Sequence, residues 1–547
     1  MNIYQVESKF QPSSDGKCSV AQQGMVSTAF PQATEAGVEM LRQSGNAVDA
    51  ACAAAFALGV CEPQASGLGG QTMGILHFNG EAIALDGSGY IPFLAHPDRL
   101  EAGDLQTGYR ATTIPSTPAV LGRLHAEYGR LPWSTILKPA IRIARNGYPI
   151  TRLQHQLQRR EIQNFNLVPS RSGAGYFLKD GKQPYAVGEF FRQPDLADLL
   201  EFLAEKGVTA FYSGKVAEVI DADMISNSGF LRASDLAKIP WPVKRVPLQI
   251  DYQGLKVMTT PPPTPGRILL LILKVLDQLP PGQLQLLSPS GARTFAVLIR
   301  QALTMRIQEP IHPDRYDPVG DPVFNDKGFI RRMADAVTAP SADSREVPAE
   351  SFSGGETTHL SVMDADGNAV GLTQSINLVY GSKAAAKGLG FIYNDYLSDI
   401  VTNDPAHPHF LKPGGLPWSS VCPTIVLREG RPWLVTGSPG SERILSTVAQ
   451  FLFHIIDTDL PMCKAMELPR LHCSTNGTVS LEADRFDPSV PNFLLESGFK
   501  INRCEPYSFF HGAIHAALKR QTGTGFQGVA EIRRDGIAAG CDNLKTR

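Results

Sequence analysis

Apolar positions recur every three or four residues through long stretches of this chain and alternate with polar ones in others. The switch between these two periods marks the elements. Helical spacing covers 31–46, ending at Gly45, and 47–60, an Ala-rich run (Asp49 to Ala55) with little polar surface. From about 112 to 340 it dominates, predicting helices over 118–129, 133–146, 152–162, 194–206, 210–223, 267–278 and 290–305, each punctuated by Gly or Pro. Alternation predicts a hairpin of 74–78 and 81–85 across Asn79-Gly80, and strands within 247–262. A second hairpin runs from Leu360 to Met363, turns at Asp364-Ala365-Asp366-Gly367 and returns over Ala369 to Thr373. A helix over 443–456 follows, then strands near 478–482, 500–505, 512–518 and 527–532, with Arg533-Arg534-Asp535-Gly536 making the next turn. The Pro- and Gly-rich 401–418 reads as a mobile loop, and the polar run 338–353 as an exposed linker. Strands on both sides of that linker, flanked by helices, predict an α+β fold, a four-layer α-β-β-α sandwich forming one domain over 1–547.

Composition narrows the function classes. Of 547 residues, 43% are hydrophobic and 19% charged, enough for a large core. The net charge is −2 and the Arg and Lys residues are dispersed, so no nucleic-acid partner is expected. Eight cysteines are scattered without zinc spacing, and Cys52 and Cys61 fall in the Ala-rich run as small buried residues. No metal or cofactor site is expected. Met1 to Lys17 lacks an apolar leader core, and no stretch of about 18 apolar residues would cross a membrane. The expected setting is the cytoplasm, with reduced cysteines and no membrane partner. Glu62 to Gly70 is Gly-rich but lacks the Lys-Ser/Thr of a phosphate loop, so it reads as close backbone packing.

The chemistry concentrates at Gly354-Gly355-Glu356-Thr357-Thr358-His359. A Thr between a Gly-Gly segment and a core strand suits an N-terminal nucleophile hydrolase. In such an enzyme the backbone is cut just before the Thr, and the new α-amine serves as base for its hydroxyl. On these residues alone, a simple strand entry after a loop is the alternative.

The longer context resembles the γ-glutamyltransferase (glutathione hydrolase) family of N-terminal nucleophile hydrolases. The elements that carry the resemblance are Thr357-Thr358-His359, Asp366 to Val370, Thr373 to Asn377, Tyr380-Gly381-Ser382, Asn394 to Asp399, Ser419 to Ile425 and Gly437 to Ser441, in order and in register. It implies self-cleavage between Glu356 and Thr357 into a large chain, 1–356, and a small chain, 357–547. These stay together as a heterodimer. By the same resemblance Thr357 is the nucleophile, Ser375 holds its amine, and Gly440 and Ser441 offer backbone N–H groups to an oxyanion. Asn377 and Asp399 bind a substrate amine, Ser419 and Ser420 a carboxylate, and 401–418 makes a lid. Two positions depart from the family. Ser88 stands where an Arg usually grips the glutamyl carboxylate, and Tyr396 where a Gln or Glu commonly sits. No Arg lies between Arg42 and Arg99.

Three functions follow. One is an amidohydrolase or acyltransferase that passes the acyl group of a γ-glutamyl compound such as glutathione to water or an amine. Another applies the same machinery to a non-glutamyl acyl donor, which Ser88 favours. The third, a scaffold that never matures, conflicts with Thr357, Ser375 and the Gly440 loop.

Overall fold

The computed structural model describes residues 16–101, 103–280, 284–339, 355–521 and 523–542. The strands that organise it are, in chain order, β1 (Cys18–Ala21), β2 (Gly24–Thr28), β3 (Gln71–Phe78), β4 (Glu81–Asp86), β5 (Val243–Arg245), β6 (Leu248–Tyr252), β7 (Leu255–Thr259), β8 (Gly355–Asp364), β9 (Ala369–Leu378), β10 (Thr424–Arg428), β11 (Arg431–Gly437), β12 (His515–Lys519), β13 (Phe526–Ala530) and β14 (Ile537–Cys541). They form two seven-stranded sheets, ordered β1-β13-β12-β11-β10-β7-β6 and β14-β2-β8-β9-β3-β4-β5. Every neighbouring pair in both is antiparallel. Strands from before and after residue 356 share each sheet.

The period-2 pattern explains the layering. Along β8, Leu360 and Val362 face one side and Met363 the other. Leu360 and Val362 join Val370, Leu372 and the residues of helices Pro31–Arg42 and Ala47–Cys61 in one core. Met363 meets Met25, Ile75, Met258, Ile425, Val435 and Phe526 between the sheets. A third core packs Val257, Val426, Leu434 and Val529 under helices Gly266–Leu276, Pro289–Gln308 and Arg443–Ile456. This is the α-β-β-α sandwich expected from the chain.

Small residues set the close spacing. A Cβ at Gly37 would meet Val26 Cγ1 at 2.9 Å and Ala50 O at 3.1 Å, so the first two helices and β2 approach as they do because that position is bare. The first helix ends at Arg42, short of the expected 46. Ser44 takes φ +63° there, and Asn46 turns to cap the next helix, accepting from Val48 N and Asp49 N.

Other departures have local causes. The helix expected over 210–223 begins at Gly214, after a 3₁₀ turn over Val208–Phe211. The 360–373 hairpin is longer at both ends, β8 starting at Gly355 and β9 reaching Leu378. The 401–418 loop is docked by backbone bonds, Ile91 N donating to Gly415 O and Gly414 N to Ile91 O, each at 2.9 Å. Of the expected linker, 340–353 lies outside the described residues. The expectation of reduced cysteines fails for one pair: Cys18 and Cys463 form a disulfide with Cα atoms 6.1 Å apart, an approach that only the folded chain creates across 445 positions. No helix among the described residues is long and apolar enough to cross a membrane.

Candidate active site

The β8–β9 ladder pairs Glu356 with Asn377 and Thr357 with Ser375, so Ile376 is the extra residue of a bulge opposite the Glu356–Thr357 peptide. Bulges swing side chains out of strict alternation, and here the result is a chain of hydroxyls. Thr357 Oγ1 donates to Ser375 Oγ at 3.0 Å, and Ser375 Oγ donates to the carbonyl oxygen of Glu356 at 3.0 Å. Asn377 N completes the Ser375 oxygen at 2.9 Å. The Thr357 hydroxyl and the Glu356 carbonyl before it are thus bridged by one side chain.

The Gly-rich turn supports this bulge from behind. Ile376 N donates to Ala65 O at 3.1 Å, and a Cβ at Gly70 would lie 2.3 Å from Ser375 O. Only a bare backbone fits there, in keeping with the packing role read from 62–70.

The remaining expected residues lie on segments that contact one another pairwise. Asn377, at φ +78°, directs Nδ2 to Ser398 Oγ at 2.8 Å and Asp395 O at 3.4 Å. Trp418 N reaches Asp399 O at 3.4 Å, which sets Ser419 and Ser420 beside the Asp399 turn. The Ser419 hydroxyl is buried with no hydrogen-bond partner among the described residues, while its carbonyl accepts from Arg306 Nη2 at 2.8 Å. Gly440 and Ser441 lie directly ahead of helix Arg443–Ile456, whose first turn uses their carbonyls, so backbone N–H groups and the positive helix end collect there. A Cβ on Gly355 would sit 3.1 Å from Ser441 Cβ, which places this loop against the strand two residues ahead of Thr357. Gly440 adopts φ +127°, a region L side chains rarely enter. Ser441 accepts φ +55° despite its side chain.

Both family departures have structural partners. Tyr396 is buried against Ser375 and Gln71, and burial raises its phenol so that it stays protonated. Gln71 Oε1 in turn accepts from Gly89 N at 3.0 Å, which links the neighbours of Thr357 to the Ser88 turn. Ser88 Oγ donates to Asp86 Oδ1 at 2.7 Å, and Arg245 Nε holds Asp86 Oδ2 at 2.9 Å while its Nη2 also bridges Asp314 at 2.8 Å. The Ser88 hydroxyl is therefore bonded to a carboxylate that has its own arginine. Arg110, the second arginine after the gap, pairs with Asp104 at 2.9 Å and covers the Phe230 ring.

Several groups were missed in the sequence. The Glu356 carboxylate is buried, and Arg534 Nη1 lies 3.0 Å from it. Arg534 belongs to the Arg533–Gly536 stretch, which reads only as a turn because its partner is 178 positions away in the chain, a separation no local pattern encodes. Burial, and then the neighbouring Glu356 charge, push Glu62 up to about 8. Burial also raises Asp395 to about 7, opposed by the Lys383 charge, while its Oδ1 accepts from Leu378 N at 3.0 Å. His359, next to Thr357 in sequence, faces Thr373 and Ser361 between the sheets, and burial lowers it well below the ordinary range, so it is a neutral core residue. Among the described residues no group of His, Cys, Asp and Glu is arranged to hold a metal.

A family model described as Gamma-glutamyltranspeptidase matches residues 33–541. The chain belongs to that family. The glutathione hydrolase proenzyme of Escherichia coli (strain K12) is 32% identical, over 83% of this chain and 81% of its own. The acylase ACY 1 proenzyme of Pseudomonas sp. (strain V22) is 28% identical over 95% of this chain and 94% of its own. Among solved structures, the cephalosporin acylase from Bacillus halodurans superposes with a TM-score of 0.88 at 25% identity, covering 98% of this chain and 99% of its own. This gamma-glutamyltranspeptidase family member is thus an Ntn-type hydrolase or acyltransferase, and its relatives divide between two kinds of acyl donor.

Proposed function

We propose that the chain cuts itself between Glu356 and Thr357 and then works as an N-terminal-threonine amidase on a small-molecule amide. The observation that carries this is the hydroxyl bridge from Thr357 Oγ1 through Ser375 Oγ to the Glu356 carbonyl. In the precursor, Thr357 Oγ adds to the Glu356 carbonyl carbon while Ser375 polarises its oxygen. The amide nitrogen leaves with a proton, and water releases the ester. The freed α-amine, ordinarily of pKa about 7.7–8.0, then acts as base for the same hydroxyl. Turnover repeats these steps on a substrate carbonyl, with Gly440 and Ser441 N–H groups facing the oxyanion. Asn377, Asp399, Ser419 and Ser420 contact the acyl portion, and water or an amine takes it.

The donor we favour is an amide whose acyl portion needs no arginine clamp. At the position expected for the clamp, the Ser88 hydroxyl binds a carboxylate, Asp86, that Arg245 already neutralises. A γ-glutamyl donor such as glutathione is the second reading, supported by the grouping of Asn377, Asp399 and the serine pair. Reducing denaturing gels with N-terminal sequencing test maturation: a small chain starting at Thr357 is expected, and an intact chain in an active preparation refutes it. A panel of γ-glutamyl-anilide against other acyl-anilides decides the donor, and efficient γ-glutamyl turnover by the parent protein would overturn the favoured reading.

A further inference from the structure

We infer that the Cys18–Cys463 disulfide is the covalent tie between the two chains of the mature enzyme, and that it is open to exchange with small thiols. The inference rests on cleavage at 356–357, which leaves Cys18 on the large chain and Cys463 on the small one. Without that cut the bond only closes a loop within one chain.

The two cysteines sit at one edge of the contact between the chains, which runs through both sheets. Cys18 opens β1, the outermost strand of its sheet, which is held there by pairing with β13 from Cys18↔Val529 to Ala21↔Phe526. Lys17 adds bonds from Nζ to Arg534 O and Gly536 O, both at 2.6 Å. Cys463 lies in helix Met462–Glu467, and its sulfur accepts from Gln527 Nε2 of β13 at 3.4 Å. The large chain's first strand is therefore fastened to a strand of the small chain along its length and to a helix of the small chain through the disulfide. Cys18 is exposed and Cys463 half-buried, so a small thiol can reach the bond from the Cys18 side.

The chemistry balances through exchange. One protein thiolate attacks a low-molecular-weight disulfide and releases one small thiol. The second protein thiolate then displaces the other small thiol and closes the S–S bond. Two protein thiols lose two protons and two electrons, and the small disulfide is reduced to two thiols. Small thiols in excess run the steps backwards and free the chains from one another.

The test uses the full-length protein purified without reductant and treated with excess glutathione disulfide. Non-reducing gels should show one species carrying both chains, and reducing gels two. A tryptic digest should contain peptide 18–42 joined to peptide 444–464, lost on reduction. Cys18→Ser should give two separate chains in both gels with turnover unchanged, and in the parent the fraction cross-linked should fall as the thiol-to-disulfide ratio is raised. Complete alkylation of both cysteines after disulfide treatment, or two separate parent chains without reductant, would overturn the inference. A single band on the reducing gel alongside the joined peptides would instead refute cleavage, and with it the inter-chain role, while leaving the bond itself in place.

Discussion

Replacing Ser375 with Ala tests the hydroxyl bridge most directly. Its oxygen accepts from Thr357 Oγ1 and Asn377 N and donates to the Glu356 carbonyl, so one substitution removes three contacts of 2.9–3.0 Å. Asn377 is half-buried, so water can take over part of its N–H; an unsatisfied buried group costs about 1–3 kcal/mol, and the low end applies to stability. The rate falls further, because the carbonyl loses the donor aimed at its developing charge. Deleting one such donor costs about 2.7–4 kcal/mol, a factor of 10²–10³. Self-cleavage of Ser375→Ala should slow about a hundredfold while its melting temperature falls only modestly, and Ser375→Thr, which keeps a hydroxyl, should recover most of the rate. The assay is the time course of precursor loss on denaturing gels, with thermal melts of the same samples. Parental cleavage rates in the Ala variant would refute the bridge, as would a Thr variant as slow as Ala at equal stability.

Thr357→Ala should abolish both self-cleavage and turnover on denaturing gels and acyl-anilide assays, while Thr357→Ser retains part of each. Glu62 is raised to about 8, so the stability tied to its protonated form is complete below the ordinary carboxyl pKa and lost as pH rises through about 8. The melting temperature of Glu62→Gln relative to the parent should therefore climb between pH 6 and 9, and a constant difference would contradict this. Ser88→Arg should raise kcat/KM for a γ-glutamyl-anilide about tenfold. A charge-assisted bond is worth about 1.5–3 kcal/mol and Asp86 will draw off part of the new charge. No gain in fully matured protein would mean that the carboxylate is held elsewhere.

Legibility in the sequence followed the range of the interactions involved. The β8–β9 hairpin, the 71–86 hairpin and helix Arg443–Ile456 were readable because hydrophobic period and turn residues lie within a few positions of one another. The bulge opposite Thr357 was not, because it arises from a register that Ala65 and Gly70 impose from another part of the chain. Nor was the longer β8: Gly355 and Glu356 have no strand pattern of their own and are extended by pairing with Leu378 and Asn377. The roles of Asn377, Asp399, Ser419 and Ser420 came through resemblance, and the contacts that link their segments, Asn377 to Ser398 and Trp418 to Asp399, are ones no local period encodes.

Substrate choice follows from the same distinction between local and distant partners. Reading Ser88 alone suggests a lost clamp and an empty position. In the fold, the Ser88 hydroxyl binds Asp86, whose charge is balanced by Arg245 from β5, which also reaches Asp314. Under the proposed function, a substrate carboxylate placed at the Ser88 turn would meet an anion whose counter-ion is already shared between two carboxylates, and a donor without that carboxylate avoids the repulsion. Thr357, Ser375 and the Glu356 carbonyl are bonded to one another, and Gln71, which pairs with Ser375 across the β9–β3 ladder, accepts from Gly89 N of the Ser88 turn. Under the proposed function, a substitution at Ser88 should therefore change the choice of acyl group while leaving the rate of self-cleavage close to that of the parent.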